Sequence, residues 1–239
     1  MNTLASAGAR PQIEAISLPG AAAAAAIATV LLLAALHALS PEFDPSWRMV
    51  SEYANGRYGW VLSLMFGMWA LSTWALAFEL WPRVRGRAGK IGLYFLIASG
   101  IGEMMAAFFD INHPLHDVAG LIGVPTMPIA ASLISWRWPC SSRKKALRSL
   151  LWTANLIWLA LALFIATMYL MVTTLHHAGG HMGRALNHLP AGTIALDGWA
   201  NRLYVVACCI WVIAAAYQDN STSETACRGN ANVSTASPD

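Results

Sequence analysis

Six stretches of this chain, near residues 20–39, 59–80, 91–110, 116–136, 150–175 and 198–217, are almost wholly apolar. Each is close to the ~20 residues that an α-helix, rising ~1.5 Å per residue, needs to cross the hydrocarbon of a bilayer. The pattern predicts an all-α fold, a six-span transmembrane helical bundle in one domain over 20–217, with a polar leader at 1–19 and a polar tail at 218–239. The tail is rich in Ser, Thr and Asn and is expected to be disordered. Only 11% of residues are charged against 57% hydrophobic, which argues against a soluble globule.

Histidine and basic residues divide between the two ends of these spans. His37, His113, His116, His176, His177, His181 and His188 all fall on or near one face, and Arg83, Arg85, Arg87, Lys90, Arg137, Arg143, Lys144, Lys145 and Arg148 on the other. The positive-inside bias puts the basic face in the cytoplasm, and an even number of spans then puts both termini there. The expected localisation is a multi-pass protein of the bacterial inner (cell) membrane. Because the basic residues sit in two short connections, the net charge of +3 is explained by orientation, and no nucleic-acid partner is expected. Cys140, Cys208, Cys209 and Cys227 all lie away from the outer face, so no disulfide framework is expected. Ala38-Leu39-Ser40 offers a small-residue cleavage pattern, but Pro41 follows it and the apolar run is long, which favours an uncleaved first span.

Between the first two spans, Asp44 can cap a helix, Pro45 fits its first position and Gly56 its stop. Trp47, Val50, Tyr53 and Ala54 would share one face and Arg48 and Glu52 would pair at i,i+4, giving a short amphipathic helix at the outer interface, either a collar or a lid.

Glu103 and Asp110, seven residues apart in the third apolar run, would share a helix face. A carboxylate at Glu103 would be inside the membrane, where it must face the bundle interior or a wet cavity, as a proton-accepting or cation-binding group or as a protonated acid bonded to a neighbour. Pro114 suits a first helical position and puts His116 and Asp117 in the opening turn of the fourth span. Asp110, His113 and His116 form an Asp/His cluster that, with His176, His177 or His181, could ligate a divalent metal such as zinc. Gly179, Gly180 and Gly183 break the helical alignment of His177 with His181 and weaken that reading. Arg202, one turn inside the last span, would snorkel outward or pair with Asp110 or Glu52. Pro125 and Pro128 should kink the fourth span, Gly120 and Gly123 allow a neighbour to pack closely, and tryptophans near span ends fit an interfacial belt.

Ser51-Glu52 before Gly59-Trp60, Phe66-Gly67, Phe109-Asp110, His116 with Gly120, and Gly198 to Arg202 occur in an order that resembles the polytopic membrane proteins of the domain of unknown function 998 family, from about residue 25 to 217. The resemblance implies a compact six-span α-helical fold with Ser51, Glu52, Asp110, His116 and Arg202 as its polar positions, and it brings no established reaction. The further histidines look like additions to that pattern.

Three functions are open at this point. One is an outer-leaflet site that binds or processes a lipid or lipid-linked substrate, with Asp110 and His116 in acid/base or metal-ligand roles and Arg202, Glu52, Ser51 and Glu103 holding the ligand. The second is a proton-coupled carrier using Glu103, and the third a non-catalytic bundle that binds lipid or a partner protein. Whether the chain is an enzyme is left open.

Overall fold

The computed structural model describes residues 18–138, 144–180 and 188–234. Six helices carry the fold: α1 (Leu18–Leu39), α2 (Gly59–Leu80), α3 (Arg87–Phe108), α4 (Pro114–Trp136), α5 (Lys144–His177) and α6 (Asp197–Ser234). All six contain a stretch long and apolar enough to span a bilayer, and no strand occurs among the described residues. In α6 that stretch ends at Gln218, and the polar tail continues the helical backbone to Ser234.

Each helix packs on its neighbours in chain order, and α1 closes the ring against α6. The thinnest seam lies between α4 and α5. Helix α5 shows why: it buries the single stripe Leu150, Ala154, Ile157, Leu161, Met171 and Leu175, and leaves Trp152, Leu159, Ile165 and Tyr169 exposed on the face that lipid would cover. The tightest contact is between α3 and α4. A Cβ on Gly102 would fall 2.5 Å from the Gly123 nitrogen and 2.7 Å from the Ala119 carbonyl oxygen, so the two backbones touch through glycine.

Local chemistry sets the helix ends. Gly86, at φ +82°, takes the backbone conformation that opens α3 and that a side chain would resist. Pro114 occupies the first position of α4, and His113 accepts a bond from the Leu115 amide at 3.2 Å. Pro125 and Pro128 lie within α4 without interrupting it. The α2–α3 connection and its flanks use their cations locally: Arg83 pairs with Glu79 at 2.7 Å, and Lys90 donates to the Trp81 carbonyl.

The interfacial helix is shorter than expected. A 3-10 helix covers Val50–Asn55, ended by Gly56, while Asp44 and Pro45 belong to a separate turn in which Asp44 accepts from the Ser46 amide at 2.9 Å. Glu52 is the reason the helix starts late. Its carboxylate accepts from the Met49 amide at 3.0 Å, capping the helix there, and also meets Arg48 at 2.5 Å. Val50 and Tyr53 are buried on its inner face.

Candidate functional site

A chamber of about 220 Å³ lies inside the ring, beneath the 3-10 helix and at the end of the bundle where the histidines sit. Its walls come from five helices. Phe66 and Trp69 stand on α2, Glu103 on α3, His116 and Gly120 on α4, Phe164 on α5 and Tyr204 on α6, while Met49, Val50 and Ser51 form the roof. For scale, a cavity of ~150 Å³ lined by aliphatic and aromatic side chains accepts benzene. Gly120 is exposed, and a Cβ there would meet nothing within 4 Å, so the chamber has a mouth beside α4 on the thin seam towards α5.

Among the described residues Glu103 is the chamber's single acidic side chain, and neither Lys nor Arg lines it. It sits about 8 Å inside the end of α3, five residues before Phe108. The buried stripe Leu93, Leu96, Ser99, Gly100 and Glu103 explains its direction, since residues three and four apart share a face. Thr73 Oγ1 lies 2.5 Å from Glu103 Oε2, and Ser99 Oγ lies 3.0 Å from Oε1. Thr73 Oγ1 is also 2.7 Å from the Trp69 carbonyl oxygen, and Ser99 Oγ 3.3 Å from that of Gly123. Each hydroxyl has one hydrogen and two acceptors, so the cluster accommodates Glu103 ionised or protonated with no heavy atom moving.

Two further groups leave bonding capacity at the chamber. The Trp69 indole nitrogen is buried and has no hydrogen-bond partner among the described residues. His116 Nδ1 lies 2.8 Å from the Phe109 carbonyl, which can only accept, so Nδ1 carries a proton and in the neutral ring Nε2 is left as an acceptor. Towards the basic end, the fully buried Leu76, Leu96, Met127, Ile157 and Trp211 close the floor with apolar surface.

The other residues marked by the sequence lie elsewhere. Asp110 does not share the Glu103 face, because α3 ends at Phe108 and Phe109 is extended at φ −107° and ψ 105°, which breaks the seven-residue register. Asp110 is exposed and accepts from the Asn112 amide at 2.8 Å. Arg202 pairs with neither Asp110 nor Glu52. Its Nε donates to His37 Nε2 at 2.8 Å, one terminal nitrogen to the carbonyls of Arg48 and Gly198 at 2.7 and 2.8 Å, and the other to the Tyr53 hydroxyl at 3.1 Å. His37 Nδ1 is 2.8 Å from the Leu33 carbonyl, which fixes the tautomer that makes Nε2 an acceptor. Arg202 therefore fastens the roof segment to α6 and α1. Asn201 adds a bond of 3.0 Å from the Val50 amide. Arg48 meets Glu52 at 2.5 Å, and Asp197, fully buried at the start of α6, has no hydrogen-bond partner for its carboxylate oxygens among the described residues.

His113 is exposed at the head of α4 and stacks on Phe109 at 4.7 Å, and His176 and His177 are exposed at the end of α5. His181 lies outside the described residues. Among the described residues no three His, Cys, Asp or Glu side chains gather closely enough to hold one metal ion. Of the residues marked by the sequence, the structure thus brings Glu103, His116 and Ser51 to one chamber and leaves Asp110, Arg202 and Glu52 outside its walls. Sequence reasoning missed Trp69, Phe164 and Tyr204, and it noted Phe66 without giving it a place in a site. Their signal is position, because an aromatic residue in the middle of a span cannot belong to the interfacial belt.

A family model described as "Protein of unknown function (DUF998)" matches residues 23–218. No curated protein and no solved structure matches the chain.

Proposed function

The chain belongs to the DUF998 family, whose description assigns no reaction, and we propose from the chamber itself that this protein binds an amphiphilic molecule drawn sideways from the bilayer. The observation that carries this reading is an apolar chamber with one membrane-buried carboxylate and a mouth at Gly120. Apolar walls with a few convergent polar groups are the ordinary composition of a ligand site. A carboxylate buried at membrane depth is a functional feature by default, because it costs a few kcal/mol that packing alone does not require. The basic residues at the opposite end support a chamber in the outer half of a cell membrane, with both termini cytoplasmic. The apolar floor supports binding and release on one side over transport across the bundle. His116 Nε2 and Glu103 supply an acceptor and an acid to whatever occupies the space, so processing of a lipid-linked substrate would draw on these two side chains and not on Asp110.

Native mass spectrometry of the detergent-purified protein tests the reading. An amphiphile should co-purify with the parent protein and be lost from Gly120→Trp, which fills the mouth while leaving thermal stability unchanged. Equal occupancy in the two proteins, or none in the parent, would overturn it.

A further inference from the structure

We infer that the ligand of this chamber is a lipophilic organic cation, with its ammonium group held between the Glu103 carboxylate and the aromatic side chains of Phe66, Trp69, Phe164 and Tyr204; this rests on the reading of the chamber as a ligand site. The first argument is charge. Glu103 is 5% exposed and has hydroxyl neighbours, and among the described residues no Lys or Arg lines the space. When it is ionised a buried carboxylate needs a cationic partner, and with none among the described residues the ligand is the source. An anionic head, by contrast, would meet Glu103 with no compensating guanidinium or ammonium among the described residues.

The second argument is the wall. Phe66 and Trp69 stack with ring centroids 6.3 Å apart and 13° between planes, and Tyr204 tilts towards Trp69 at 6.5 Å and 60°. Phe164 completes the group from α5. Aromatic rings around a desolvated site favour a quaternary or alkylated ammonium through their negative faces, and a neighbouring carboxylate adds to that preference. The unpartnered Trp69 N–H calls in addition for an acceptor atom on the ligand.

A bare metal ion fits less well. Glu103 is the single acidic side chain among the described residues of the chamber wall, and among the described residues no three His, Cys, Asp or Glu side chains gather to share an ion. The volume of about 220 Å³ is, however, ample for a trimethylammonium head with its chain leaving past Gly120.

Calorimetric titration of the full chain in uncharged detergent with octyltrimethylammonium, its neutral carbon isostere 2,2-dimethyldecane, and octyl sulfate tests the inference. The cation should bind at least about tenfold tighter than the isostere, and octyl sulfate weakest. Glu103→Gln, which keeps the shape and an acceptor for Thr73, should cut the preference for the cation to the smaller part that the aromatic faces supply. Phe164→Leu, which keeps an apolar wall and leaves Glu103 intact, should lower the cation preference without weakening the isostere. Equal binding of cation and isostere to the parent protein, or tighter binding of octyl sulfate, would overturn the cation assignment and leave the chamber reading standing. Binding of none of the three would overturn both.

Discussion

The Tyr204 hydroxyl donates to the Val124 carbonyl at 2.7 Å, and Val124 is the residue whose helical donor would have been the amide of residue 128, where α4 carries Pro128. Proline has no N–H, so the hydroxyl of α6 replaces the missing helical bond and ties α6 to α4 across the chamber. Tyr204→Phe should destabilise the protein by about 1–3 kcal/mol, the cost of a buried carbonyl left without a donor. Adding Pro128→Ala restores an amide at the right place and should recover most of that loss. Reversible unfolding in detergent of both single variants and the double variant checks it, and strictly additive effects would show that the two positions are not linked.

The α3–α4 contact yields a second expectation. Gly102→Ala drives a methyl group into the Gly123 backbone, 2.5 Å from its nitrogen, and should cost about 1–3 kcal/mol as the helices are forced apart. Gly120→Ala, one turn from Gly123 on the same helix, meets nothing within 4 Å and should stabilise by about 0.5–1 kcal/mol through helix propensity. The same unfolding measurement separates them, and a similar loss in both would contradict the geometry.

The positions of the six spans were legible because length and apolarity are local properties, readable without knowing any contact. The α4 start was legible for the same reason, through Pro114, whereas the His113 cap was not read. What could not be read is what depends on partners that carry no side-chain signature. Arg202 suggested a carboxylate because charge seeks charge, yet its terminal nitrogens bond to backbone carbonyls and a tyrosine hydroxyl, and its Nε to His37, 165 positions away. Asp110 was misjudged by a single assumption, that α3 continues through it, and the early end at Phe108 removes it from the Glu103 face. Glu103 itself was legible, since an ionisable residue in an apolar run must face inward.

Replacing Arg202 tests its role as the fastening of the roof. Lysine offers one nitrogen where the guanidinium reaches α1, α6 and the 44–53 segment at once, so Arg202→Lys should lose about 2 kcal/mol or more. Hydrogen exchange should rise at Val50 and its neighbours, which the same cluster holds through Asn201. An unchanged exchange pattern in this segment would show that the roof is held elsewhere.

Acid should loosen the same segment from its other end. The bonds from Ser46 to its carboxylate hold Asp44 below its usual value of 3.8. A carboxylate with a depressed folded pKa stabilises at all pH values above its unfolded value and loses that contribution as pH falls through the folded one. Protection of the Ser46 amide should therefore be constant from neutral pH down to about 3.8 and decline below it. Asp44→Asn keeps an acceptor without a titration and should abolish the decline, and an identical acid profile in the two proteins would remove Asp44 as its cause.

Thr73 stands between Glu103 and the Trp69 carbonyl with one hydrogen for two acceptors, at 2.5 and 2.7 Å. When Glu103 is ionised the hydrogen points at the carboxylate; when it is protonated the acid donates to Thr73, which passes its own hydrogen to the carbonyl. Thr73→Ser preserves both arrangements and should cost less than about 1 kcal/mol, whereas the isosteric Thr73→Val removes both and should cost about 1–3 kcal/mol. Infrared difference spectra give an independent reading, because a carboxyl group that loses a hydrogen-bond partner absorbs at higher frequency. The carboxyl band assigned to Glu103 by its disappearance in Glu103→Gln should move up in Thr73→Val and stay in place in Thr73→Ser. If the band stays in Thr73→Val, the threonine hydroxyl is not bonded to the acid and the two-way exchange of its hydrogen fails with it.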